Sequence, residues 1–220
     1  MAARFCDLAQ WFDPHGYRIH LERALQAFKE GNFPECLDRL SQAETDMVTE
    51  NREYLPRDLT DLHRLRANAR IEAAGQYIAR GVKLSASPAP GAADKANDVY
   101  NLAEKHIEDF LDNLELLDSQ GDPNLGSEKA VLEAKAWLYL GDVASSRQDY
   151  EWSVASYRVA RGLARRVAGS RQVPLRYKDQ VPQLCKAASE RLRNDGSKLV
   201  HAGALASPSD RAVASLSPPS

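Results

Sequence analysis

Cysteine is scarce in this 220-residue chain: Cys6, Cys36 and Cys185 are the only three. Their wide separation excludes both a disulfide framework and a zinc-ligand cluster, so reduced thiols in a cytoplasmic protein are the expectation. Paired histidines are missing too. His15, His20, His63, His106 and His201 never stand four apart, and no His-Glu-x-x-His, Glu-x-x-His or Cys-x-x-Cys occurs, which removes the common metalloenzyme and redox signatures. Glu104, His106 and Glu108 come closest, but on a helix His106 points away from the face its neighbours share. Glycine-rich phosphate loops are lacking around Gly121 and Gly162. No window approaches 18 uncharged apolar residues, and the first dozen residues hold no apolar run of signal-peptide length. The expectation is a protein that is not an enzyme, binds no cofactor or metal, and does not span a membrane.

Composition is globular, with 43% apolar and 27% charged residues. The formal net charge of −2 hides an asymmetry. Residues 1–157 carry 17 Lys/Arg against 27 Asp/Glu, whereas residues 158–200 carry 11 against 3. In that basic stretch Arg158, Arg161 and Arg165 recur at three and four, with Arg166 beside them, and form a basic face suited to phosphates or to an acidic partner. Aromatics interleave it only at Tyr157 and Tyr177, which disfavours nucleic acid as the partner.

From Tyr17 to Asn194 apolar residues recur at three and four with almost no period-two alternation, which predicts an all-α fold of seven helices. The first runs from Tyr17 to Glu30 and stops at Gly31-Asn32. The second opens at Phe33-Pro34, with the proline in its first turn. The third covers about 57–84 and ends in the Pro- and Ser-rich stretch 85–91. The fourth spans about 94–117. The fifth spans about 127–147, with Ser127 as its N-cap. The sixth follows Gln148-Asp149 and runs to about Ala168. Pro174 and Pro182 bracket the entry to a seventh, Lys178 to Asn194, ending at Asn194-Asp195-Gly196. The expected organisation is an irregular segment over 1–16 packed against the first helix, a helical domain over 17–194, and a disordered Ala/Ser/Pro-rich tail over 195–220.

A pattern repeats in alternate helices: a small residue, a large apolar residue four later, and alanine three after that. It reads Cys36, Leu40, Ala43; then Ala96, Tyr100, Ala103; then Ser153, Tyr157, Ala160. Such positions lie along one stripe of a helix, where small residues admit a neighbouring helix and the large one fills its groove. The fifth helix carries the complement, Trp137, Leu140 and Gly141.

This arrangement, clearest over residues 134–166, resembles the tetratricopeptide repeat, whose helix-turn-helix unit shows Trp, then Leu-Gly, then a small-x3-aromatic-x2-Ala run. Aligning the other copies puts Ala24, and Gly75 with Ala74, at the close-contact glycine. The first copy departs from the pattern with His20 for Trp and Arg23 for Leu, and the second needs about nine extra residues near 85–91. The resemblance implies a right-handed stack of about three antiparallel helix pairs, with the last helix as a cap. It also implies a groove formed by the first helix of each pair, holding Arg18, Leu21, Leu25, Phe28 and Lys29, then Glu72, Gln76 and Arg80, then Lys135, Leu138, Asp142 and Ser145. Leu25, Gln76 and Asp142 stand where the family's carboxylate clamp has Asn, so capture of a C-terminal carboxylate is not expected. The implied role is an adaptor, chaperone-like or assembly factor, its partner a client protein, a complex subunit or a second copy of the chain. The rival reading is a nucleic-acid-associated regulator working through the basic face.

Overall fold

The computed structural model describes residues 16–49, 56–117, 125–170 and 173–205. Every regular element among them is helical: α1 Gly16–Lys29, α2 Phe33–Thr49, α3 Pro56–Ser85, α4 Ala92–Asp112, a 3-10 turn at Leu114–Leu117, α5 Leu125–Ser146, α6 Tyr150–Ala168, the single turn α7 Leu175–Lys178, and α8 Gln180–Leu205. No described helix is long and apolar enough to cross a membrane.

Chain reversal between α1 and α2 is specified locally. Gly31 adopts φ 73°, so its N–H reaches Phe28 O at 3.0 Å and the Asn32 N–H reaches Ala27 O at 2.9 Å, closing the helix end in the way a left-handed residue permits. Asn32 then caps α2 reciprocally with Glu35. The same closure joins α5 to α6, where Gln148 takes φ 64° and the Asp149 carboxylate accepts from the Trp152 N–H at 3.1 Å.

Packing is densest between α1 and α2, α3 and α4, α5 and α6, and α6 and α8; α3 also meets α2 and α5. The core divides into three clusters joined by shared helices. α3 gives Leu62, Ala69 and Ala73 to the cluster around Leu40, and Ile71, Ala74 and Ile78 to the one around Ile107 and Phe110. α5 gives Leu132, Ala136 and Val143 to that second cluster, and Val131, Ala134 and Leu138 to a third around Tyr157 and Ala164. Helices that pack on two sides bury residues around much of their circumference: Ala69, Ala73 and Ala74 of α3 and Ala134 and Ala136 of α5 are all at most 3% exposed.

All nine residues of the repeated stripes are at most 3% exposed. Gly141 lies so close to α6 that a Cβ there would stand 2.3 Å from Tyr157 Cε1. In the α3–α4 contact the corresponding residue is Gly81, not Gly75: a Cβ on Gly81 would lie 2.5 Å from Tyr100 Cε1, whereas Gly75 faces the Tyr139 hydroxyl of α5. Tyr77 and Arg80 precede Gly81 as Trp137 and Leu140 precede Gly141. The extra length between these two elements is therefore three residues, not nine.

Two further boundaries differ from expectation. α5 starts at Leu125, so Ser127 sits inside its first turn. α8 runs through Asn194-Asp195-Gly196 to Leu205, because Asp195 is buried against α6, where it accepts from Ser153 Oγ at 2.9 Å and Lys198 Nζ at 3.0 Å. This tertiary anchoring overrides the local stop signal. Residues 195–205, expected in the tail, are thus helical, and residues 206–220, like the segment 1–15, lie outside the described residues.

Candidate protein-docking groove

Leu21, Leu25 and Phe28 project from one side of α1 at helical spacing, and Leu65 of α3 and Phe33 of α2 complete an apolar floor. The Phe28 and Phe33 rings meet at 5.5 Å. Above this floor is an open groove of about 760 Å³, lined also by Glu22, Asp58, Asp61 and Glu72 and by Arg176, Tyr177 and Gln180 from the α7–α8 region. Leu25 is 44% exposed inside it and Leu175, beside Arg176, is 81% exposed.

A buried carboxylate fixes the α7 side of the groove. Glu128 of α5 is 2% exposed. It accepts from Arg64 Nη2 at 2.8 Å, from the Tyr177 hydroxyl at 3.1 Å, from Asn68 Nδ2 at 3.4 Å, and from Arg176. Three acceptor contacts to charged or hydroxyl donors offset much of the cost of burying the charge. The result ties α3, α5 and α7 together, and burial beside Glu128 pushes the Tyr177 hydroxyl well above its usual range.

Of the residues carried over from the repeat resemblance, Leu21, Leu25, Phe28 and Glu72 line the groove. Arg18 and Lys135 stand at its margin, Arg18 on Asp58 at 3.3 Å and Lys135 on Glu72 at 2.5 Å. Lys29, Gln76, Arg80 and Ser145 are not among the lining residues; Gln76 Nε2 instead donates to Gly31 O at 3.4 Å. Leu138 is 3% exposed and packs with Tyr157 in the third cluster. Asp142 faces α6 and α8, accepting from the Tyr157 hydroxyl at 2.9 Å and pairing with Arg191 at 2.8 Å. Along α6, Arg158, Arg165 and Arg166 are exposed and Arg161 is half-buried. Asp58, Asp61, Arg64, Asn68, Arg176 and Tyr177 had no signal in the repeat pattern. The first four lie in the N-terminal half of the 30-residue α3, and Arg176 and Tyr177 come from α7.

Elsewhere, a crevice of about 20 Å³ beside His63, Arg66 and Arg70 holds no more than a water. His106 stacks on Tyr77 at 5.5 Å, and burial lowers its pKa. Among the described residues no three His, Cys, Asp or Glu side chains gather as metal ligands. Cys36 is buried, with its thiol pushed up to about 11, and is therefore unreactive.

Burial pushes the Asp142 carboxyl up to about 6, outweighing the pull of Arg191 and of the Tyr157 hydroxyl. Between about pH 4 and 6 the folded chain holds a proton here that the unfolded chain has released. The stability this group contributes is complete below about pH 4 and is lost as pH rises through about 6. Asp142→Asn is therefore expected to gain on wild type between pH 4 and 7 in urea unfolding. Taking the difference cancels the half-buried histidines His20, His63 and His106, whose lowered values act the other way. A difference independent of pH would mean that Asp142 titrates like an exposed carboxylate.

Compared with family models, with curated proteins and with solved structures, the chain matches none.

Proposed function

We propose that the chain is a protein-interaction module, a cytoplasmic adaptor or assembly factor that holds a client segment in the groove between α1, α3 and α7. The observation that carries this reading is an open, apolar-floored groove bounded by fixed ion pairs and hydrogen bonds. Apolar surface left in water at Leu25 costs free energy that a bound segment recovers, at roughly 25 cal/mol per Å² covered. The flanking carboxylates of Asp58, Asp61 and Glu72 are already paired, so they shape the groove without a large desolvation cost on binding.

A tetratricopeptide-like stack of three helix pairs with α8 as a cap is part of the same proposal. It is supported by the matched close contacts of Gly81 on Tyr100 and Gly141 on Tyr157, and by fully buried Ala24 in α1. Such stacks bind partners along the surface lined by the first helix of each pair.

The test is quantitative affinity capture with Leu25→Asp, using Val48→Asp as a matched control. Val48 is 73% exposed on α2 and does not line the groove. Proteins recovered with wild type are expected to fall at least tenfold with Leu25→Asp and to persist with Val48→Asp. If recovery instead depends on Arg158→Glu/Arg165→Glu and disappears after nuclease treatment, the nucleic-acid reading replaces this one.

A further inference from the structure

The geometry points to the kind of client the groove takes: an amphipathic helix with lysine or arginine on both flanks of its apolar stripe. This deepens the reading of the groove as a docking site and rests on it.

The groove presents acceptors and withholds donors. Its lining carries four carboxylates, Glu22, Asp58, Asp61 and Glu72, and two cations, Arg64 and Arg176. Both arginines are turned onto Glu128, which is 2% exposed and does not line the groove, and the Tyr177 hydroxyl donates to the same carboxylate. The lining carboxylates, by contrast, keep spare capacity. Tyr17 and Arg18 both engage Asp58 Oδ2, and Lys135 engages Glu72 Oε1, so the second oxygen of each accepts from no described group. Arg18 and Lys135 stand outside the lining, so the side of each pair that faces the groove is its carboxylate. Asp61 meets Arg57 and Arg64 only at 3.8 and 3.7 Å, beyond hydrogen-bond reach. Glu22 is exposed and has no partner among the described residues. Ionised carboxylates accept and do not donate, so the groups that complete this rim are cations with several N–H donors, lysine and arginine. An acidic segment would meet like charge on the rim and find both arginines committed.

Shape sets the rest of the client. Leu21, Leu25 and Phe28 stand at i, i+4 and i+7 along α1, a spacing on which the apolar stripe of a second helix packs. Lysine and arginine on the flanks of that stripe lay their stems along apolar surface and carry their charged ends out to the rim. Attraction between opposite charges then speeds encounter and sets partner choice, while the apolar floor supplies the burial.

The test uses two fluorescein-labelled amphipathic helical peptides of about 14 residues, roughly the 21 Å span of α1, read by fluorescence anisotropy. Both carry leucines at i, i+3, i+4 and i+7; one has lysines on the flanks and the other glutamates at the same positions. Wild type is expected to bind the lysine peptide at least tenfold more tightly, with the preference shrinking as salt rises. Glu22→Lys/Asp61→Asn should abolish the preference, whereas Glu108→Lys/Glu115→Gln, an equal change in net charge at exposed positions away from the groove, should keep it. Leu25→Ser, which trims the floor without adding charge, should weaken the lysine peptide at least threefold. Circular dichroism checks that each variant is folded.

Equal binding of the two peptides, binding of neither, a preference that survives Glu22→Lys/Asp61→Asn, or one that the control variant also loses each overturns the inference. Indifference of the lysine peptide to Leu25→Ser does so too, as does a concentration-dependent dimer dispersed by Leu25→Asp, since a second copy would then fill the groove. None of the peptide outcomes alters client capture through the groove, which stands or falls on Leu25→Asp against Val48→Asp.

Discussion

Replacing Glu128 by alanine is expected to lower the unfolding free energy by about 3 kcal/mol, the lower end of what removing one partner of a buried ion pair costs. The lower end applies because the two arginines differ in their alternatives. Arg64 keeps Asp61 within 3.7 Å, and Arg176 is half-exposed and can turn to water. Tyr177 cannot do so: it is 4% exposed and retains only Asn68 Oδ1 at 3.0 Å. For a chain of this length the loss corresponds to a fall in Tm of about 6–12 °C. Glu128→Gln keeps the shape and one acceptor but not the charge, and should lose about half as much. Because the same carboxylate holds α7, trypsin should cut after Arg176 and Lys178 faster in the alanine variant under native conditions. Wild-type Tm and wild-type cleavage in Glu128→Ala would show that α7 is held by Tyr177 packing alone.

Gly141→Ala is the second large effect. Alanine is favoured over glycine within a helix by about 1 kcal/mol, yet here its Cβ would stand 2.3 and 2.5 Å from two carbons of the Tyr157 ring. That ring is 2% exposed and its hydroxyl is anchored on Asp142, so α5 and α6 must separate. The overpacking penalty exceeds the propensity gain, for a net loss of about 2 kcal/mol and roughly 4–8 °C in Tm. Gly162→Ala supplies the opposite sign, since nothing lies within 4 Å of a Cβ there and only the propensity gain of about 0.5–1 kcal/mol remains. Shifts of opposite sign at two glycines in neighbouring helices would separate close packing from backbone propensity. A stabilised Gly141→Ala would mean that the helices sit farther apart than described.

The sequence made the helices legible because their apolar stripes repeat, and the stripe residues from Cys36 to Ala160 all reach the core. It misplaced the second close-contact glycine for a physical reason. Gly75 and Gly81 are both small because a tyrosine lies against each, but Gly75 serves the contact with α5 and Gly81 the contact with α4; periodicity alone does not separate the two. The helix through Gly196 was hidden because Asn-Asp-Gly is a stop signal locally, and only the burial of Asp195 against Ser153 reverses it.

The groove was half legible. Leu21, Leu25 and Phe28 announce an apolar stripe on α1, and Glu72 faces it from α3. Glu128 could not be anticipated: an acidic residue in the first turn of a helix usually faces water and the helix dipole. Here it lies under Arg64 and Arg176 because α7 folds over it. Asp142 shows the converse. It holds a groove position in the aligned repeat, but a third partner, α8, brings Arg191 onto it and closes that side.

The most direct test of the groove as the working surface is site-specific photocrosslinking. A benzoylphenylalanine placed at Leu25, at Val48 or at Arg158 reports which surface touches a partner in intact cells. Adducts are expected from position 25 and not from 48 or 158. Adducts from 158 with none from 25 would contradict the account and move the interaction to the basic face of α6.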